Sequence, residues 1–264
     1  MDGRQLLIYL SIIYKGDWKQ IDSAIRGRQY VSDEEAKRVC KRNKSPAVTI
    51  VDQNYPPLLR ETPAPPFVLY YRGDLSLVSD GNQCVTVVGS RNTGTYPAER
   101  TASICSALAK DGITIVSGLA KGIDGIAGRA ALEHGRAVAV LGNGLDYHYP
   151  AENADLQDEI GKRGLLLSEY PDGTPPCLNS FPKRNRILAG LSCATLIMDA
   201  KRQSGTMITA GFASSYNRDV GALPTLAGED SACNELIKQG AMLVESADDV
   251  YLMMKEDATM RAKL

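Results

Sequence analysis

From residue 84 onward the chain repeats one pattern: a short apolar, β-branched run, a stop at small polar residues, then an amphipathic stretch. The runs at 84–88, 113–116, 137–141, 165–168, 194–198, 219–223 and 241–244 are largely unbroken apolar segments, which predicts strands buried on both faces. Between them, Pro97 with Ala98, Ala102, Ile104, Cys105 and Leu108 reads as a helix, as does the spacing of Ala127, Ala130 and Leu132 ahead of Gly135. Further helices are predicted at 151–162, 184–191 and 209–216, and a closing one at 247–254. Strand then helix, repeated, means a mostly parallel sheet covered on both faces, and right-handed crossovers make it a doubly wound, Rossmann-like α/β fold.

Upstream the pattern changes. Residues 1–45 are helical: Leu6, Leu7, Leu10 and Ile13 form one apolar face, and Trp18, Ile21 and Ile25 a second. Ser32 with Glu35 can cap a third helix over Ala36 and Val39. A short strand is expected at 47–51, an ordered Pro-rich loop at 54–66, a strand at 67–72 and a linker at 76–82. The expected division is a small N-terminal helical region, 1–45, and a Rossmann-like core, 46–264.

Composition adds mainly exclusions. The 264 residues carry 30 Lys plus Arg against 31 Asp plus Glu, a net charge of −1, so any basic site has to be local. The basic residues near the N-terminus (Arg26, Arg28, Lys37, Arg38, Lys41, Arg42, Lys44) read as a solvated face. The six Cys show no CxxC spacing, and Cys84 and Cys105 sit in apolar runs as small core residues; with two His, a metal site is not expected. No apolar stretch reaches membrane-spanning length and no leader pattern is visible, so a soluble, cytoplasmic protein is expected.

In doubly wound sheets, ligands sit beyond the carboxyl ends of the strands. The segments there are GSRNTG (89–94), SGLAKGID (117–124), GNGLDYHYP (142–150), SEYPDG (168–173), DAKRQSGTMITA (199–210) and LPT (223–225). They gather small residues (Gly89, Ser90, Ser117, Gly118, Gly122, Gly142, Gly144, Ser204, Gly205, Thr206), which let a ligand approach backbone amides. Arg91, Lys121, Lys183, Arg184, Arg186, Lys201 and Arg202 gather there as well. A strand, a Gly-bearing turn and a helix N-terminus beside Arg91 favour a phosphate, and several such turns on one sheet edge predict a basic, phosphate-ready cleft. Tyr147, His148, Tyr149 and Phe181 are candidate stacking surfaces in the strand-end loops. Competing roles are packing for Phe181 and Tyr149, pairing of Arg184 or Arg186 with Glu169 or Asp172, and capping of its own helix by Asp124.

Taken in order, GSR (89–91), SGLAKGID, VLGNGLDYHYPAEN (140–153), LLSEYP (166–171), FPKRNRILAGLS (181–192), SGTMITA (204–210) and CNELIKQGA (233–241) resemble the DNA-processing family DprA, also called Smf, as does YPPLLRETPAPPFVLYYRGD (55–74). The resemblance covers roughly residues 50–250. It implies a Rossmann-like core that binds single-stranded DNA, protects incoming DNA during natural transformation and loads the RecA recombinase, with no catalytic turnover and no cofactor. It also implies a homodimer through the later part of the core, where Leu223, Leu226, Leu236, Ile237 and Met242 are available. Arg91 matches the family's phosphate-contacting arginine, Lys121 its SGxAxGID cation, Arg184, Asn185 and Arg186 its RNR, and Ser204, Gly205 and Thr206 its SGS/SGT turn. Four features depart: Gly211 stands where the family usually has Arg, LPT (223–225) where it has VPG, the family's C-terminal winged-helix domain has no counterpart before Leu264, and the N-terminal helical region is short.

Two other classes share the fold. A phosphoribohydrolase-like, nucleotide-cleaving enzyme would follow its Gly-rich turn with an acid, and no acid follows SGTMITA (204–210) within the next turn of helix. A dinucleotide-dependent dehydrogenase would place an acid at the end of its second strand, where Ser117-Gly118 stands.

Overall fold

The computed structural model describes residues 2–229 and 231–261. Strands are β1 (Ala47–Thr49), β2 (Val68–Gly73), β3 (Cys84–Gly89), β4 (Thr114–Ser117), β5 (Ala137–Leu141), β6 (Leu165–Ser168), β7 (Ala194–Asp199), β8 (Asp219–Ala222) and β9 (Met242–Leu243). Helices are α1 (Gly3–Ile13), α2 (Trp18–Arg26), α3 (Asp33–Cys40), α4 (Pro57–Arg60), α5 (Thr95–Lys110), α6 (Ile123–Leu132), α7 (Ala154–Arg163), α8 (Ser180–Leu191), α9 (Gly205–Ser215), α10 (Cys233–Lys238) and α11 (Ala247–Arg261).

One sheet runs in the order β1-β2-β6-β5-β4-β3-β7-β8-β9. From β6 to β9 every pairing is parallel, while β1 and β2 join antiparallel at one edge. The strands are apolar on both faces because both are covered. Val85 and Val87 of β3 face a core built with Ile104 and Leu108 of α5, Ala127 of α6 and Ile160 of α7. Cys84 and Val88 face the opposite core, with Ile187 and Leu191 of α8 and Ala210 of α9. This is the doubly wound fold expected from the sequence.

The direction of winding reverses beside β3: β4, β5 and β6 extend one way, β7 and β8 the other. The turns after β3 and β7 therefore diverge, opening a crevice at that switch point.

The N-terminal helices share their own cluster of Tyr9, Leu10, Ile21, Ala24, Val31, Ala36 and Val39. They rest on the sheet domain through Leu7, through Trp18 stacked on Phe67 at 5.4 Å, and through the Tyr70 hydroxyl donating to Ser11 Oγ at 3.0 Å. Arg26, Arg28, Lys37, Arg38, Lys41, Arg42 and Lys44 are all exposed.

Several local expectations change. The Pro-rich stretch 54–66 contains the short helix α4, with Pro57 at its first position where no N–H is needed. The linker 76–82 overlaps two 3₁₀ turns, Leu75–Val78 and Gly81–Gln83, capped by Asp74 and Asp80. Helix α8 begins at Ser180 rather than 184, because Pro182 lies within the first turn, where its missing N–H costs nothing. Cys84 and Cys105 are buried core residues, as expected. Among the described residues no helix is long and apolar enough to cross a membrane, and no cluster of His, Cys, Asp and Glu is arranged to hold a metal.

Candidate functional site

The crevice has two lobes. One lies over the ends of β4 and β5, lined by Arg91, Gly118, Ala120, Lys121, Gly142, Tyr149, Phe181 and Arg184 among others. The second lies at the switch point, between the end of β3 (Gly89, Arg91) and the start of α9 (Gly205, Thr206), with Phe181, Arg184 and Asn185 along its wall. Arg91, Ala120, Phe181 and Arg184 border both, so the two lobes of the cleft adjoin along a shared wall.

Its cations differ in freedom. Arg91 follows β3 directly and is exposed. Its turn is held by Ser90, whose Oγ donates to the Asn92 carbonyl at 2.9 Å. Lys121 is half exposed and paired with Glu152 across the mouth of the cleft. Lys183 reaches away to Asp17 of the N-terminal region at 3.1 Å. Arg184 is buried; its Nη1 donates to the Val140 carbonyl at the end of β5, and its Nε has no hydrogen-bond partner. Burial pushes the Arg184 pKa down to about 10, with nearby Arg91 adding to the fall and Asp124 opposing it. Asn185 donates to the Gly205 carbonyl at 3.2 Å, tying α8 to α9. Lys201 and Arg202 are exposed, and Arg202 pairs with Glu235 at 2.6 Å.

Arg186 does not line the cleft. It is buried and donates through Nη1 and Nη2 to both carboxylate oxygens of Glu169, at 2.9 and 2.6 Å. Of the two arginines, pairing with Glu169 goes to Arg186. Residue Asp172 instead accepts from the Ser45 amide and hydroxyl, anchoring the N-terminal region.

The small residues expected to admit a ligand differ in what faces them. A Cβ on Gly89 would strike Ile123, on Gly118 the Arg184 guanidinium, and on Gly142 the Phe181 ring. These glycines are filled by the protein's own side chains. Gly122, with φ +72°, lies against the Ser90 and Arg91 carbonyls and joins the two turns. Ser117 is buried, with an Oγ that finds no partner. Gly205 faces open space: a Cβ there would meet nothing within 4 Å. It opens α9, whose N-cap Ser204 makes no side-chain cap bond and whose Ser204 Oγ has no partner, with Thr206 buried beside it. The first turn of that eleven-residue helix, with its dipole, therefore opens on the cleft at Gly205.

The aromatic candidates also separate. Phe181 sits on the first turn of α8 rather than in a strand-end loop, half-buried and stacked on Tyr149 at 5.2 Å with an interplanar angle of 26°. Both line the cleft. Tyr147 lies outside it, its carbonyl accepting from Asn143 and Gln157, and His148 contacts Asp158 at 2.9 Å. Asp124 does not cap its own helix; its Oδ2 accepts from the Gly118 amide at 3.0 Å, in the preceding turn. Sequence reasoning missed the contribution of Asn143 to the cleft wall, which carries no charge to flag it.

Residues 46–255 match the family model of the DNA recombination-mediator protein A. The chain belongs to this family. A Smf protein of Synechocystis is 46% identical over 204 residues, 75% of this chain and 51% of the relative; the chain thus spans about half that relative's length. The DNA processing protein DprA of Streptococcus pneumoniae is 43% identical over 210 residues, 78% of this chain and 73% of that protein. Its crystal structure superposes with a TM-score of 0.80 at 33% identity, covering 95% of this chain and 98% of that one. A Helicobacter pylori DNA processing protein A, whose structure is described for its single-stranded DNA binding mode, superposes with a TM-score of 0.73 at 32% identity, covering 81% of this chain and 98% of that one. The family places the Rossmann-like sheet and the motifs in one frame.

Proposed function

We propose that the cleft binds single-stranded DNA with little sequence preference, as a DNA-processing protein of the DprA/Smf type. One observation carries the reading: exposed Arg91, the unpartnered Arg184 Nε, the open α9 N-terminus at Gly205 and the Phe181–Tyr149 stack all border one cleft. Guanidinium and backbone amides suit phosphates, and a half-buried ring suits stacking of an unpaired base. Arg91 and Lys121 track the backbone, with Lys183 joining them on release from Asp17; Arg184 and Asn185 shape the wall; Ser204, Gly205 and Thr206 receive a phosphate; Phe181, backed by Tyr149, receives a base. Gly89, Gly118 and Gly122 serve by letting Ile123, Arg184 and the Ser90 turn approach.

In the cell this activity protects incoming DNA and loads RecA onto it during natural transformation, in the cytoplasm, by a homodimer paired through the β8–α10–β9 edge. Exposed Leu226 and Leu243 and partly buried Ile237 and Met242 supply its apolar surface. We assign no turnover and no cofactor. Among the described residues Asp124 is the one carboxylate lining either lobe, and its Oδ2 already accepts from Gly118, which leaves the nucleotide-cleaving alternative without a placed acid.

The test is a titration with a fluorescent poly-dT oligonucleotide and the matching duplex across a salt range. Expected are preference for the single strand and a steep loss of affinity with salt. Equal affinity for duplex, or no binding at low salt, would overturn the reading.

A further inference from the structure

The turns after β3 and β4 present backbone amides at the place where this class of sheet cradles a phosphate. In this molecule they are already in use. Asp124 is 5% exposed, and its Oδ2 accepts from the Gly118 amide at 3.0 Å and lies 3.5 Å from the Ala120 amide. Gly89, at the end of β3, borders the same lobe as the carboxylate, and its amide favours the charged form. Both hydrogen-bond donors precede α6 in the chain, so this is not the usual acid serving its own helix's first turn. A carboxylate held by amides of the turn after β4, against the end of β3, occupies the position of a bound anion. Burial raises the Asp124 pKa, and Arg184, the buried cation beside it, opposes that rise and supplies the countercharge.

We propose that Asp124 is a specificity-determining residue: a built-in anion that fills the amide nest between β3 and β4 and closes the site to free phosphate, pyrophosphate and nucleoside phosphates. The phosphates the site accepts are then those that Arg91 and the α9 N-terminus meet from outside the nest. That last clause rests on the single-stranded DNA reading; the filling of the nest does not. The Ile123 amide, one residue before Asp124, donates to the Ser90 carbonyl at 3.2 Å and joins the GSR turn to the SGLAKGID turn, so the segment that carries the carboxylate also positions Arg91.

Replacing Asp124 empties the nest, and a small anion should refill it. The experiment compares wild type with Asp124→Ala in thermal melts with inorganic phosphate at about 20 mM, against potassium chloride of equal ionic strength. Phosphate should raise the Asp124→Ala midpoint by about 3 °C or more and move wild type by less than about 1 °C. Should Asp124→Ala not fold in chloride, Asp124→Ser replaces it, since a hydroxyl can satisfy one amide and leaves the rest free. A variant that folds only with phosphate supports the proposal. If both variants respond to phosphate as wild type does, or fold no better with it, Asp124 is structural only and the proposal fails. Oligo-dT binding by the same proteins is read separately. Its absence in wild type would overturn the DNA reading while leaving the phosphate result intact.

Discussion

Glu169 holds Arg186 through both carboxylate oxygens, and the side chains are 6% and 10% exposed. The pair joins the end of β6 to α8, the helix that also carries Phe181 and Arg184. Burial alone would lower the Arg186 pKa, but the adjacent carboxylate outweighs it and raises it. Removing one partner leaves a buried charge uncompensated, so Glu169→Gln should cost about 3–5 kcal/mol, or roughly 10 °C in melting midpoint. The double variant Glu169→Gln/Arg186→Met should lose less than the single one. Calorimetry on the three proteins checks this; equal stability of Glu169→Gln and wild type would show the pair to be dispensable.

Arg91 and Lys44 are both exposed cations, but only Arg91 lines the cleft. Arg91→Ala should weaken oligo-dT binding roughly ten- to a hundredfold, about 1.5–3 kcal/mol, with an unchanged melting midpoint. Arg91→Lys should recover only part, because an ammonium cannot form the bidentate fork. Lys44→Ala should bind like wild type. Fluorescence anisotropy decides, and identical affinities for Arg91→Ala and Lys44→Ala would move the site elsewhere.

Two glycines provide opposite controls. At Gly205 a methyl meets nothing within 4 Å, so Gly205→Ala should leave stability equal or raise it by about 0.5–1 kcal/mol, while obstructing a phosphate at the α9 N-terminus. At Gly118 the methyl would strike Arg184, so Gly118→Ala should lower the melting midpoint as well as binding. Melts and anisotropy on both variants separate an opening for ligand from a packing contact.

Asp52 accepts from the Thr49 amide at 2.9 Å and from Arg4 Nε at 3.0 Å, linking α1 to the β1 edge. Burial raises its pKa, but the Thr49 amide and Arg4 lower it more, leaving it below the ordinary 3.8. A carboxyl depressed in the folded state contributes stability above its unfolded pKa and loses it as pH falls through the folded one. The melting difference between wild type and Asp52→Asn should therefore be constant above about pH 5 and shrink below about pH 4. Melts from pH 7 to 3 measure it; a gap that widens with acid would contradict the assignment.

The apolar runs made the parallel strands legible, because β3 to β8 are buried on both faces and needed no context to read. The cleft was legible as a place, since strand ends must meet there. What each residue does there was not. Gly118 and Gly205 look alike in a sequence, yet one is filled by Arg184 and the other open, a difference set by side chains dozens of residues away. Arg184 and Arg186 lie two apart on α8, and only the fold decides which reaches Glu169. The helix expected at 184–191 starts at Ser180, since a proline in the first turn breaks no hydrogen bond.

The pairing of Lys121 with Glu152, and of Lys183 with Asp17, bears on how many ions the protein would exchange in the proposed uptake of a single strand. Each phosphate neutralised by a free cation returns about 0.7 of a counterion to solution. A phosphate that displaces Glu152 from Lys121 also liberates a carboxylate, which then gathers a solvent cation of its own. The two transfers offset one another. Counting ions from the salt slope would thus register Arg91 nearly in full and the two lysines hardly at all, and the stoichiometry of ion release would understate how many side chains the strand touches.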